Sequence, residues 1–408
     1  DNHISLVFET PALCHAPMET PAASMQFKGS EALEVWAPTQ APDHAQRAIA
    51  ERVALPLERV TVHTVPMGGA FGRKRYTDYL EELAEATKHL FEQNIRERIT
   101  LIWTREDDMS REFYRPATLQ HVEWNNASPQ QLSLKLYEGF SEAKHSEPRN
   151  IETDLPLNLS IDGSKVALKH HFSVGIWRSV HHGYHAFALC STVDEMCIQT
   201  QTAPTAFYLE HAKQASLVER ITATVTDTPS ISSRLRGVVT KALQLADEDN
   251  TAANDTARGF AAYSVFGSHI ALLSEINLNN AQLTVTRVWA AVDCGLAINP
   301  DKIKAQIEGG ILYGLSACLY GDMPREKDSQ ALNFDVLPVL RMVDTPDIQI
   351  NVVASQEPPT GAGELGVPVI APAVCNAIRR LTPYRFTRLP LLKEGRLNFD
   401  HAVKIGKS

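Results

Sequence analysis

A single carboxylate, Glu364, lies inside Pro358-Pro359-Thr360-Gly361-Ala362-Gly363-Glu364-Leu365-Gly366-Val367-Pro368, a run otherwise built of small and apolar residues. Such surroundings strip water from a carboxylate and favour its neutral form, as a general base working near neutrality requires. The same composition also suits an exposed Glu on a surface loop. A second segment, Met67-Gly68-Gly69-Ala70-Phe71-Gly72-Arg73-Lys74, falls between a strand pattern and a helical one. Its glycines can turn backbone N–H groups toward an anion, and the coming helix N-terminus favours negative charge. A plain glycine turn explains the same residues. It is not a P-loop, whose G-x-x-x-x-G-K-[ST] spacing is missing, and no acidic residue completes a dinucleotide fingerprint.

The third segment is Trp177-Arg178-Ser179-Val180-His181-His182-Gly183-Tyr184-His185. The guanidinium of Arg178 is suited to bidentate recognition of phosphate or carboxylate, or to a structural salt bridge. His181 and His185 are four apart and could share a helix face with a metal. No glutamate occupies the H-E-x-x-H position, and the nearest downstream acids are Asp194 and Glu195. Histidines hydrogen-bonded at a helix start are therefore expected. In the fourth segment, Glu106-Asp107-Asp108 offers three carboxylates to a hard cation, or a solvated strand end. The six cysteines (Cys14, Cys190, Cys197, Cys294, Cys318 and Cys375) form no C-x-x-C pair. They read as buried thiols rather than as zinc or iron–sulfur ligands.

The chain that positions these segments has 408 residues, enough for roughly two to three domains. It is 44% hydrophobic and 21% charged, a globular balance, and 39 basic against 48 acidic residues give −9. Without a dense basic run, nucleic acid is not an expected partner. No stretch reaches the roughly 18 consecutive apolar residues of a membrane helix. Asp43 is placed to cap a helix carrying Ala45, Ile49 and Val53, and Val60, Val62 and Thr64 alternate as a strand. Leu80, Leu83, Thr87 and Leu90 stripe a second helix. Ile99–Trp103 reads as a buried strand, Leu132–Leu136 as an alternating one, and the polar Ser141–Gly163 as a long loop or domain boundary. A second polar break covers Asp247–Thr256, before paired strands at Gly259–Ile276 and Leu283–Val292. Asn299-Pro300-Asp301 opens a helix striped by Ile303, Ile307, Ile311 and Leu315. Its Gly309, Gly310 and Gly314, at about 1 kcal/mol each relative to alanine, imply a close neighbour: a packed helix, a loop or a cofactor. A helix over Ala373–Leu381 and a short apolar strand near Leu389–Leu392 end the chain. The pattern is α+β, not doubly wound.

Taken in order, His15-Ala16-Pro17-Met18-Glu19, Val35-Trp36-Ala37-Pro38-Thr39-Gln40, Gly68–Arg73, Trp103–Asp108, Tyr114-Arg115-Pro116, Val292-Asp293-Cys294-Gly295, Ile298-Asn299-Pro300, Gln306-Ile307-Glu308-Gly309-Gly310 and Gly363-Glu364 form a consistent series. The series resembles the molybdenum-binding subunit of the xanthine dehydrogenase and aldehyde oxidase family, nearest to its isoquinoline 1-oxidoreductase beta-subunit branch. The resemblance covers nearly the whole chain. It implies mixed sheets with packed helices in two elongated molybdopterin-binding domains, residues 1–165 (the C-terminal part of the first) and 166–408.

The resemblance further implies molybdenum held by molybdopterin cytosine dinucleotide, with no direct protein ligand to the metal. The cofactor would lie against Gly68, Gly69, Ala70, Phe71, Gly72 and Arg73, with Arg178, Ser179 and Gly363. Glu364 would be the base in a hydroxylation of an aldehyde or N-heterocycle that draws its oxygen from water. Electrons would leave through 2Fe–2S clusters on a small partner subunit, with a cytochrome c subunit as an optional further partner. The alternative is a non-catalytic interaction subunit of the same fold. Two departures are minor: Thr20 replaces the family's proline after the HAPME segment, and the late motif reads Glu364-Leu365-Gly366. The family's glutamine–glycine motif is absent, so a companion chain is expected to complete the site, and the isolated chain to retain cofactor poorly. A periplasmic or membrane-associated complex is the expected location, with the cytoplasm as alternative.

Overall fold

The computed structural model describes residues 3–140, 149–150, 155–169, 172–212, 231–248, 255–323 and 333–405. Strand β1 (His3–Thr10) buries Ile4, Leu6 and Phe8 on alternate positions and turns the residues between them outward. The chain then enters a four-stranded sheet made by β2 (Ala22–Lys28), β3 (Ala32–Ala37), β4 (Val60–Thr64) and β5 (Ile99–Ile102), in spatial order β4-β3-β2-β5. Helices α1 (Pro42–Val53) and α2 (Asp78–Glu92) supply Ala45, Ile49, Leu80 and Leu83 to its core. Asp43 is not the cap expected of it. Pro42 opens α1, Ala41 holds the cap position without a side-chain bond, and Asp43 lies in the first turn, where the helix dipole favours an acid. Strand β5 lies at a sheet edge with Ile102 70% exposed, so the expected buried strand is half-open.

After α3 (Arg105–Ser110), strands β6 (Thr118–Asn125), β7 (Gln131–Phe140), β8 (Arg149–Asn150) and β9 (Ser160–Lys169) complete a sheet with β1 in the order β1-β6-β7-β9-β8. Of the described part of Ser141–Gly163, Arg149–Asn150 and the first residues of β9 are strand, with β9 pairing in parallel with β7 from Ser160 onward, and residues 155–159 form the irregular stretch before β9. Residues 141–148 and 151–154 lie outside the described set.

Helices α4 (His182–Gln199), α5 (Pro204–Glu210) and α6 (Ile231–Glu248) lead to a third sheet of β10 (Thr256–Val265), β11 (Ser268–Asn279), β12 (Gln282–Asp293) and, after α7 (Pro300–Tyr320), β13 (Asp347–Val352). The last long helix, α8 (Gly366–Leu381), packs on β10, α7 and α4. It starts seven residues before the expected Ala373, running through Pro368 and Pro372. Pro368 falls in the first turn, where no intrahelical N–H bond is lost. Leu389–Leu392 is a strand only at Leu392, which pairs with Leu397. One core cluster joins β1, β6 and β7 to α4, α7, α8 and β10–β12, so hydrophobic packing runs on both sides of residue 165. A buried ionic knot pins α4 to α8: Arg385 meets Asp194 at 2.6 Å and Glu195 at 2.9 Å, and Arg379 meets Glu195 at 3.1 Å.

Bare backbone sets the closest helix contact. A Cβ on Gly366 would lie 2.5 Å from the Ile307 carbonyl oxygen and 2.6 Å from the Ile311 nitrogen, and a Cβ on Gly310 would meet the Gly366 backbone at 3.3 Å. Gly366→Ala must therefore push α8 off α7. Urea denaturation is expected to show a loss of about 1–3 kcal/mol, the usual cost of overpacking; an unchanged midpoint would show that the helices are not in contact here.

Candidate active site

The turn that precedes α4 is backbone-strained. Ser179 has φ +76° and Val180 φ +50°, left-handed values that a β-branched residue rarely adopts. Hydrogen bonds offset the strain. Ser179 N–H donates to Glu364 Oε1 at 3.1 Å, and Ser179 Oγ donates to the Glu364 carbonyl at 2.7 Å. Arg178 Nε donates to the Gly363 carbonyl at 2.9 Å, and Nη2 donates to the Gln306 carbonyl at 3.0 Å and to its Oε1 at 3.2 Å. Arg178 is thus neither in a carboxylate salt bridge nor pointed at solvent: it ties the Gly363–Glu364 loop to α7. Burial lowers its pKa, with Tyr313 and Glu364 acting the other way. Glu364 is half-buried, two residues before α8. One carboxylate oxygen is held by Ser179, and Oε2 has no partner among the described residues.

The glycine-rich loop follows β4 and doubles back through Gly69 (φ +93°), Phe71 (φ +55°) and Gly72 (φ +112°). Gly72 has no room for a side chain: a Cβ would sit 2.0 Å from the Ile176 carbonyl oxygen. Its N–H donates to Gln40 Oε1 at 3.2 Å, and Gly68 N–H donates to Glu19 Oε2 at 3.0 Å. The N–H groups of Gly69, Ala70 and Phe71 between them have no acceptor among the described residues. Consecutive unpaired donors on a partly buried loop are costly unless something accepts from them. Beside the loop lies a cavity of about 460 Å³ lined by Phe71, Trp177, Arg178, Gln306, Gly309 and Tyr313. The rings of Phe71, Tyr313 and Trp177 form its wall, with centroids 4.4 and 4.7 Å apart. Space is also open at Gly363, where an added Cβ would meet nothing within 4 Å.

Arg73, expected among the cofactor-facing residues, is turned into the interior. Its guanidinium meets Asp78 at 2.8 and 2.9 Å, Asp108 at 3.3 Å and Glu112 at 3.4 Å. Glu112 also takes Nδ1 of His15 at 2.8 Å, while Nε2 of His15 reaches the Ile176 carbonyl at 2.7 Å. Burial alone would raise the Glu112 pKa, but His15 and Arg73 hold it below the usual carboxylate range. Burial and the Glu112 charge push Asp108 up to about 6. Arg73, Asp108 and Glu112 support the loop from behind, and of this network only His15 borders the cavity.

The other acidic candidates are occupied, whereas the buried ring nitrogens of His185 have no hydrogen-bond partner among the described residues, so His185 is not the hydrogen-bonded histidine expected at this helix start. Asp107 caps α3 together with Thr104, Asp108 pairs with Arg105, and Asp194 and Glu195 belong to the ionic knot. His182 and His185 are buried on α4, and burial lowers the His182 pKa to about 4. No cluster of three or more metal-ligating side chains occurs among the described residues. Gln306 and Tyr313 were missing from the candidate residues. Their signal is a spacing of four and three around Gly310, which puts all three on one face of α7.

A row of free N–H donors, a clamped carboxylate with one open oxygen, and an apolar cavity define a class: a scaffold for an oxygen-rich prosthetic group beside one proton-accepting side chain. Residues 1–126 and 200–337 each match a family described as molybdopterin cofactor-binding domain. The isoquinoline 1-oxidoreductase subunit beta of Brevundimonas diminuta is 29% identical over 95% of this chain and 50% of its own length. A membrane-bound aldehyde dehydrogenase (pyrroloquinoline-quinone) of Gluconacetobacter polyoxogenes is 24% identical over 93% of this chain and 52% of its own. Quinoline 2-oxidoreductase from Pseudomonas putida 86 shares the fold, with a TM-score of 0.73 and 12% identity over 95% of this chain and 75% of that one. The chain spans about half the length of the curated relatives it matches. The chain belongs to the molybdopterin cofactor-binding family whose domains match residues 1–126 and 200–337, and binds a molybdopterin cofactor. The free donors of Gly69–Phe71 and the open space at Gly363 fit that group.

Two outcomes follow from this geometry. Arg178→Lys keeps the charge but loses the fork that reaches Gly363 and Gln306 together, so chemical denaturation is expected to show a loss of about 1–3 kcal/mol; full stability would mean that the clamp is dispensable. Five of the six cysteines are buried as expected, and Cys14, which lines the cavity, is half-buried. Burial pushes the Cys190 and Cys197 thiols up to about 12. At pH 8 their thiolate fraction is about 10⁻⁴, and mass spectrometry after iodoacetamide treatment of the folded chain is expected to find both unmodified. Rapid labelling of either of them would show that it is not enclosed as described.

Proposed function

We propose that this chain is the base-bearing half of a molybdenum hydroxylase that oxidises an aldehyde or an N-heterocycle. Water supplies the added oxygen, and two protons and two electrons leave, the electrons toward a 2Fe–2S partner subunit. The observation that carries the reading is Glu364, fixed through one oxygen by Ser179 and open at the other, on a loop clamped by Arg178, whose guanidinium lies 5.6 Å from the Phe71 ring centroid of the donor loop. When bound, the cofactor supplies the two-electron acceptor. The N–H groups of Gly69, Ala70 and Phe71 bind and orient its polar edge, the Phe71–Tyr313–Trp177 wall excludes water, and Oε2 of Glu364 takes the proton from the oxygen being added. A general base needs a free lone pair and a fixed position, and the Arg178–Ser179 turn provides both.

The names of the relatives support both substrate classes, since one is an isoquinoline oxidoreductase subunit and the other an aldehyde dehydrogenase. The designation of one relative as a beta subunit supports a partner subunit, and a companion chain that completes the site belongs to the same proposal. The cytosine dinucleotide form, a cytochrome c subunit and a periplasmic or membrane-associated location, with the cytoplasm as alternative, belong to the same proposal. The word membrane-bound in the aldehyde dehydrogenase's name supports the location. In the purified native complex, Glu364→Gln is expected to lower kcat by about 10²–10⁴, the range of a general base, with molybdenum content unchanged. Undiminished turnover would take Glu364 out of the reaction.

A further inference from the structure

A second cavity, of about 360 Å³, is lined by Trp177, Val180 and His181 at the other end of the strained turn, and by Arg115. Arg115 is only 6% exposed. Its Nη2 donates to the Pro11 carbonyl at 2.8 Å, its Cζ lies 5.3 Å from the Trp177 ring centroid, and its Nε has no partner. A carbonyl and a ring carry no net charge, so neither matches the cation. Arg73 and Arg385, buried as deeply, are each met by two or more carboxylates. Among the described residues no carboxylate compensates Arg115. Burial lowers its pKa to about 10, and only the phenols of Tyr184 and Tyr313 act the other way.

The remaining charges on the cavity wall cancel. Lys165 pairs with Glu138, which also accepts from the Tyr184 hydroxyl. The wall thus carries one excess positive charge beside apolar surface from Val174, Trp177 and Val180. An unmatched buried cation is costly, and a guanidinium is the side chain best shaped to take a carboxylate through two parallel bonds. The volume lies in the range of small-molecule sites.

We propose that this cavity binds a small carboxylate with a flat apolar body, the carboxylate on Arg115 and the ring against Trp177 and Val180. Val180 follows Ser179, the residue that holds Glu364. If the activity proposed above holds, the bound group is therefore an acidic substituent of the substrate; the binding itself does not depend on that activity.

The test is a calorimetric titration of the full chain with benzoate, benzamide and inorganic phosphate, which needs neither cofactor nor turnover. Benzoate is expected to bind saturably, with benzamide and phosphate each at least about tenfold weaker, as loss of one charge-assisted contact requires. Arg115→Gln, which can still donate to Pro11, is expected to abolish the preference for benzoate over benzamide. Should that variant fail to fold, the comparison of the three ligands on the unaltered chain decides alone. Equal affinity for benzoate and benzamide, tighter binding of phosphate, or no binding of benzoate would overturn the proposal. In the assembled enzyme benzoate is expected to raise the KM for an aldehyde without changing kcat; a change in kcat alone would separate the cavity from the substrate.

Discussion

The backbone of Ser179 and Val180 is held in a conformation that costs of order 1–3 kcal/mol per residue, and the active-site geometry rests on that expense being offset. The offset comes from long-range bonds: Ser179 to both ends of Glu364, and Arg178 to Gly363 and Gln306. Remove them and nothing local keeps the turn left-handed or the carboxylate in place. The strain also aims the bonds, because the left-handed turn directs the Ser179 N–H at the Glu364 carboxylate rather than along a helix. Strain of this kind persists only where surrounding structure over-determines it.

The over-determination is done by backbone meeting backbone. Gly72 lies against the carbonyl of Ile176, Gly310 against Gly366, and Gly259 against the carbonyl of Ala373, each too close for a Cβ between them. These contacts stack the donor loop on the segment before the turn, α7 on α8, and α8 on β10. Side-chain charges then lock the stack from outside the site. His15, Arg73, Asp108 and Glu112 hold the loop, and Arg379, Arg385, Asp194 and Glu195 hold α4 to α8. The division of labour is clear: buried ion pairs set position, while the Gly69–Phe71 loop keeps open donors and Glu364 one open acceptor.

The sequence made much of this legible where the signal was local. The stripe of α2, the Asn299-Pro300 start of α7 and the pairing of β11 with β12 follow from period and capping chemistry, whereas the turn at Phe266-Gly267 that divides Gly259–Ile276 into β10 and β11 went unread. The close-approach reading of the α7 glycines also holds, and the neighbours are Gly366 and Val367 of α8 with Arg178. What stayed hidden was non-local. Arg73 sits in the donor loop by sequence, yet partners 35 and 39 residues downstream, Asp108 and Glu112, draw its side chain the other way. The left-handed turn is carried by Ser and Val, so no glycine marked it. The expected start of α8 is Ala373, because the segment before it carries Pro368 and Pro372, yet the helix begins at Gly366 and Pro368 falls in its first turn. Among the candidate residues, Arg178, Ser179, Gly363 and Glu364 are joined by hydrogen bonds and Arg178 lies over the Phe71 ring of the Gly68–Gly72 loop, while Glu106, Asp107 and Asp108 have structural partners and His185 is buried with neither ring nitrogen hydrogen-bonded among the described residues.

Molybdenum anomalous scattering from crystals of the assembled complex tests the central claim most directly. The account predicts one strong peak per copy of this chain, enclosed by the Gly69–Phe71 amides and facing the open oxygen of Glu364. A peak remote from Glu364, or a fully loaded enzyme with the metal on the far side of the Arg178–Ser179 turn, would contradict it.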